Sequence, residues 1–181
     1  MQMMNPKRIK SRFRAAALVL ALTVAPAAAD VTPTDMLVAG RAIGFIDNLP
    51  RGDVRVAIVY DPDVAQSAQE ASEINTLMGD GMRIGSRTLR PTLLPVGQAS
   101  SNGAGLFFLT SGVGAEAGAV AHASRARKVP CITFDLSQVR NGNCAMGVQS
   151  QPRIEVFVNR AAADASGIVL ATVFRIMITE I

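Results

Sequence analysis

Apolar residues along this chain alternate between short continuous runs and stripes at helical spacing, and that alternation sets the expected architecture. Residues 54–60, 104–110 and 129–135 are compact, apolar and rich in β-branched or aromatic side chains, as buried strands are. Between them, Met36, Leu37, Ile43 and Ile46 form one stripe, and Val64, Ala68, Ala71, Ile74, Leu77 and Met78 form another. Thr32-Pro33-Thr34-Asp35 supplies a helix start, with Thr32 as cap and Pro33 in the first turn, and Asp61-Pro62-Asp63 reads as a second start. A third helix is expected over 115–127. Pro91 and Pro95 interrupt the strand-like segment 82–96, which therefore reads as one broken edge strand. Residues 143–148 and 153–158 flank the polar Gln149-Ser150-Gln151 as the arms of a hairpin would, and 160–178 read as a last helix. The sum is a single α/β domain: a mostly parallel sheet with helices on both faces, then a C-terminal antiparallel hairpin and a final helix.

The amino terminus changes the charge picture. Lys7, Arg8, Lys10, Arg12 and Arg14 precede the apolar run 15–24 and an Ala27-Ala28-Ala29 cleavage signal, the pattern of a secretory signal peptide over 1–29. The α/β domain then occupies 30–181 and the expected location is the periplasm. Without the leader, the 18 basic residues fall to 13 against 14 acidic ones, so the chain's +4 charge belongs to the leader. A nucleic-acid partner is not expected on that balance. The remaining basic cluster, Arg125-Ala126-Arg127-Lys128, complements the carboxyl end of the third helix. No transmembrane span is expected in the mature chain, because the apolar stretch near the carboxyl terminus contains Arg175.

Candidate chemistry is sparse. Cys131 and Cys144 are expected to pair in an oxidising compartment, closing a loop of about 14 residues worth on the order of 3 kcal/mol. A structural staple, a labile redox pair and thiols too far apart to bond are the three readings of that spacing. Ser111, Gly112 and Gly114, between a strand and a helix, form a candidate anion or ligand loop, with a simple tight turn as the alternative. Asp61, Asp63 and Asp135 lie at strand ends without the partners a phospho-receiver pocket needs, so Asp61 and Asp63 read as a helix cap and a first-turn acid. A single His, His122, and two cysteines argue against a zinc site. Neither a metal, a cofactor nor a catalytic residue is expected. Phe174 and Met177, in a segment more apolar than one sheet face needs, form a candidate surface for a protein partner or a homodimer; core packing is the alternative.

The carboxyl-terminal half resembles the YfiR-like family of small exported bacterial proteins. Glu155, Asn159, Ala162, Ala163, Gly167 and Ile168 fall in the register of that family's ending, Phe-Glu-x-Asn, Ala-Ala, then Gly-Leu. Upstream, residues 106–111 resemble its apolar strand ending in Ser, and 129–135 its Pro-Val-Leu-Thr-Val-Ser-Asp strand. The family's aromatic-x-x-Trp-Pro stands here as Ile46-x-x-Leu49-Pro50, so the residues with which relatives grip partners are not carried over. The resemblance implies a periplasmic, non-enzymatic regulator that acts by protein contact, in the best-known case restraining an inner-membrane diguanylate cyclase. A reduced solute-binding domain, holding a small ligand at the carboxyl ends of the strands, is the alternative.

Overall fold

The computed structural model describes residues 30–181; the expected signal peptide lies outside the described residues. The chain order is α1 (Pro33–Gly44), β1 (Gly52–Tyr60), α2 (Ala65–Met78), β2 (Met82–Ile84), β3 (Arg87–Pro95), β4 (Leu106–Leu109), α3 (Ala117–Arg127), β5 (Cys131–Thr133), α4 (Leu136–Arg140), β6 (Met146–Gln149), β7 (Glu155–Val158), α5 (Arg160–Ala165), α6 (Thr172–Arg175) and β8 (Thr179–Glu180). The strands make one sheet in the order β2-β3-β1-β4-β5-β6-β7-β8. It is parallel from β3 through β6 and antiparallel at the β2/β3 and β6/β7 pairs.

Alternation along β1 explains why both faces are covered. Val54, Val56 and Ile58 point to one core with α1 and α2, while Ala57 and Val59 point to a second core with α3. The first core continues through Phe108, Ile132, Met146 and Val158 to Ala162, Leu170 and Phe174. In the second core Phe107 and Leu109 meet Val120 and the two cysteines. Helix α1 starts as its sequence suggests: Asp35 N–H donates to Thr32 Oγ1 at 3.2 Å, and Thr32 N–H donates back to the Asp35 carboxylate at 2.8 Å.

Two elements differ from expectation. Segment 82–96 is a hairpin, because Gly85 (φ +56°) and Ser86 form a two-residue turn between β2 and β3. Strand β3 is therefore internal over Arg87–Leu89, with β2 on one side and β1 on the other. Pro91 and Pro95 are tolerated because β2 ends before reaching them, leaving that side of β3 open.

The expected helix over 160–178 is the second correction. Gly167 adopts φ +66°, and Ile168 N–H reaches back to the Ala163 carbonyl at 3.0 Å, so α5 closes with a left-handed cap after one and a half turns. The chain then runs extended beside α1's end, where Ile46 and Leu170 form a bridge, before the single turn of α6 and the pairing of β8 with β7. The cysteines are disulfide-bonded, with Cα atoms 4.9 Å apart, and tie β5 to the loop before β6 inside the second core.

Candidate functional site

The carboxyl ends of β4, β5 and β6 open onto a cleft of about 350 Å³. Its lining includes Asp30, Asp35 and Glu70, together with Gln66, Ser111, Phe134 and Ser150. Three carboxylates and no cationic side chain line it, so its field is negative. This is the location expected for a ligand of an open parallel sheet. The charge is opposite to an anion site. Ser111 N–H, the donor that would face an anion, donates instead to Glu70 Oε2 at 2.9 Å. Gly112 and Gly114 take φ +78° and +54°, and a Cβ on Gly112 would lie 3.1 Å from Val64 Cγ1. These glycines are thus accounted for by a tight turn leading through a short 3₁₀ segment, Gly114–Glu116, into α3.

Glu70 was not among the sequence candidates, because a glutamate in the middle of a helical pattern looks like an ordinary solvated position. The fold buries it to 8% exposure. Burial is the main influence on its carboxyl and raises its pKa; the bonds from Ser111 lower it, and the nearby Asp135 and Glu73 push it further up. Its second oxygen, Oε1, is shut off from solvent and has no hydrogen-bond partner among the described residues. Asp35, across the same cleft, behaves differently. Burial again raises its pKa, but hydrogen bonds from Ser150 and Thr32 outweigh burial and leave it below the usual value. Beneath the cleft, Ser67 and Thr110 share a 2.7 Å hydroxyl bond, and Asp61 N–H donates to Ser67 Oγ, fixing the β1–α2 junction against β4.

A second concavity, about 470 Å³, is mostly apolar. Phe45 and Phe174 stack at its floor, ring centroids 4.5 Å apart and 12° from parallel, and Ile84, Ile154, Val156 and Met177 form its walls. The two carboxyl-terminal candidates are thereby separated. Phe174 is 3% exposed and belongs to the core, so it is not itself a free surface, whereas Met177 is 63% exposed. Ile154, which shares the lining with Met177, is 62% exposed, and Ile176, next to Met177 in the chain, is 85% exposed. The charged residues of the lining are Arg41 and Arg87. Arg87 donates to the carbonyls of Ile46, Leu49 and Pro50, which leaves its charge uncompensated by any carboxylate among the described residues.

The remaining candidates have structural duties. Asp61 accepts from Asp63 N–H at 2.9 Å in a turn ahead of α2, whose cap position is Val64, so neither aspartate caps that helix. Asp135 caps α4 through Ser137 N–H. Arg125 and Lys128 donate to the carbonyls of Gly142 and Ala165, and Arg127 lies over the Phe107 ring. His122 is exposed on α3. Among the described residues no group of three or more His, Cys, Asp or Glu is placed to hold a metal ion, and no helix is long and apolar enough to cross a membrane.

No family model and no curated protein matches the sequence. Solved structures do share the fold. A conserved domain protein from Vibrio cholerae superposes with a TM-score of 0.54 at 13% identity, covering 83% of this chain and 60% of that one. An ABC domain in complex with L-Trp from Streptococcus pneumonia gives 0.56 at 11% identity, over 82% of this chain and 60% of that one. The ligand-free, open structure of a substrate-binding protein with adhesive properties from Clostridium difficile gives 0.52 at 9% identity, over 71% and 54%. The chain thus spans little more than half the length of the proteins it superposes on, and the likeness is one of fold.

Proposed function

We propose that this protein is an exported, non-enzymatic regulator that docks on another protein through the apolar groove above Phe45 and Phe174. The observation that carries the proposal is the groove itself: an aromatic floor continuous with the core, open to solvent, and walled by the exposed Ile154 and Met177. Its occupant is an apolar segment flanked by an acidic residue, since Arg41 and Arg87 give the lining a positive charge. The YfiR-like resemblance of the carboxyl-terminal half points to the exported domain of an inner-membrane diguanylate cyclase as the bearer of that segment. Titration of such a domain into wild-type protein and into M177D tests this. Loss of at least tenfold in affinity in the variant, with its fold intact, is expected; equal affinities, or self-association of this chain through the groove instead, would refute it.

A second reading is favoured by the cleft at the strand ends. A 350 Å³ space over an orphaned, buried carboxylate suits a small ligand, and two of the superposed proteins are described as a ligand complex and a substrate-binding protein. The two readings are compatible, because groove and cleft share no lining residue.

A further inference from the structure

Building on the second reading, we infer that the cleft lined by Asp35 and Glu70 is a binding site for a primary ammonium group carried on a small apolar body. Four observations converge. The lining holds three carboxylates and no cation, which selects a positively charged occupant. Glu70 is 8% exposed and its Oε1 lacks a partner among the described residues, while its other oxygen accepts from Ser111 N–H. An unpaired buried carboxylate oxygen is costly unless a donor meets it, and because rotation about the last torsion of a glutamate side chain is soft, an entering donor can turn the carboxylate toward the cleft at the expense of the Ser111 bond. Phe134 and Val31 supply apolar surface beside the acids, the aromatic face also suiting a cation.

Hydrogen-bond capacity narrows the class further. Asp35 already accepts from Ser150 and Thr32, and Asp30 is exposed and accepts from Gln69, so Glu70 is the buried carboxylate left with an unused acceptor for a multi-donor head group. Gln66, Gln149 and Ser150 offer neutral polar contacts for the remainder of a small molecule. A carboxylate or phosphate ligand would meet repulsion here rather than a nest of donors, which reverses the anion expectation for Ser111, Gly112 and Gly114.

The ammonium has two sources. One is a free amine. The other is this chain: cleavage after Ala29 would create an α-ammonium on Asp30, which lines the same cleft and whose carboxylate accepts from Gln69 Nε2 at 3.3 Å. For a free amine Glu70 is the counter-ion; the chain's own ammonium would share the acids with Glu73, which accepts from Val31 N–H at 3.0 Å.

Calorimetric titration of phenethylamine, with 3-phenylpropionate and 2-phenylethanol as matched anionic and neutral probes, distinguishes the outcomes. The protein is prepared in two forms, one beginning at Asp30 with a free amine and one acetylated there. Saturable binding of phenethylamine to both forms, weakened at least tenfold by E70Q and absent for phenylpropionate, supports a free amine as occupant. Binding only to the acetylated form supports the chain's own α-ammonium. Binding of phenylpropionate or phenylethanol as strong as that of phenethylamine overturns the ammonium class while leaving a ligand cleft standing, and no saturable binding of any probe to either form overturns both. Circular dichroism of E70Q, with an unchanged melting transition or a higher one, confirms that lost binding is not lost folding.

Discussion

Replacement of Phe174 and of Met177 by Ala should separate core from surface within four residues of chain. Phe174 is 3% exposed and stacked on Phe45, so its truncation removes a full aromatic side chain from the core. Phe→Ala changes of this kind cost about 3–5 kcal/mol, which includes the stacked pair and the cavity left behind. Met177 is 63% exposed. Full burial of a methionine contributes about 1.5–3 kcal/mol, so the third of it that is realised here should amount to about 0.5–1 kcal/mol. Urea denaturation followed by far-ultraviolet circular dichroism measures both. For a domain of this size the Phe174 variant should also melt lower by on the order of 10 °C and the Met177 variant by only about 2–3 °C. If F174A proves too unstable to purify, F174L serves in its place, at about 1–1.5 kcal/mol. Equal losses at the two positions would refute the assignment of Met177 to the surface, and a loss under about 1 kcal/mol for F174A would refute the packed aromatic floor.

Three further outcomes follow from the same structure. Glu70 has a folded-state pKa raised above its ordinary 4.5, so the folded chain holds that proton more tightly; its contribution favours folding at low pH and is lost as pH rises through the raised value. Wild type should therefore gain stability relative to E70Q as pH falls from neutral toward 4.5, measured above the range in which Asp35, whose pKa is lowered from 3.8, acts with the opposite sign. Changing both Cys131 and Cys144 to Ser should cost on the order of 3 kcal/mol in denaturant midpoints, because the bond closes a loop of 13 residues' separation within the second core. G147A should lose about 1–3 kcal/mol, since the new Cβ would sit 2.5 Å from Val139 Cγ2 and 2.9 Å from Leu136 Cδ2, side chains already fixed in the α4–β6 packing.

Hydrophobic patterning carried most of the fold because strands and helices here bury regular sets of positions. β1, β4 and β5 are short apolar runs and α1 and α2 are striped, so each was legible from local sequence. The carboxyl-terminal segment was not. Its residues are apolar nearly all round, which looks like a buried helix, but Gly167 takes a left-handed conformation and stops α5, and the apolar side chains divide between the core at Leu170 and Phe174 and the surface at Ile176 and Met177. A glycine preceded by a serine was the available signal. The role of Pro91 and Pro95 depended on how far β2 extends, which is a matter of strand pairing rather than composition. For the cleft, the sequence pointed to the carboxyl end of the sheet through Ser111 but not to the acidic lining, because Glu70 lies 41 positions away and only the fold, in which Ser67 of α2 is bonded to Thr110 just past β4, brings its carboxylate to the Ser111 N–H.

The central claim is that the groove above Phe45 and Phe174 receives a protein partner. Calorimetric titration of wild type and M177D with a purified exported domain of an inner-membrane diguanylate cyclase, the partner class proposed above, tests it most directly. The account predicts saturable binding to wild type, a loss of at least tenfold in M177D, and urea unfolding of that variant displaced from wild type by no more than about 1 kcal/mol. Equal binding by the two proteins, or no binding by wild type, would contradict it.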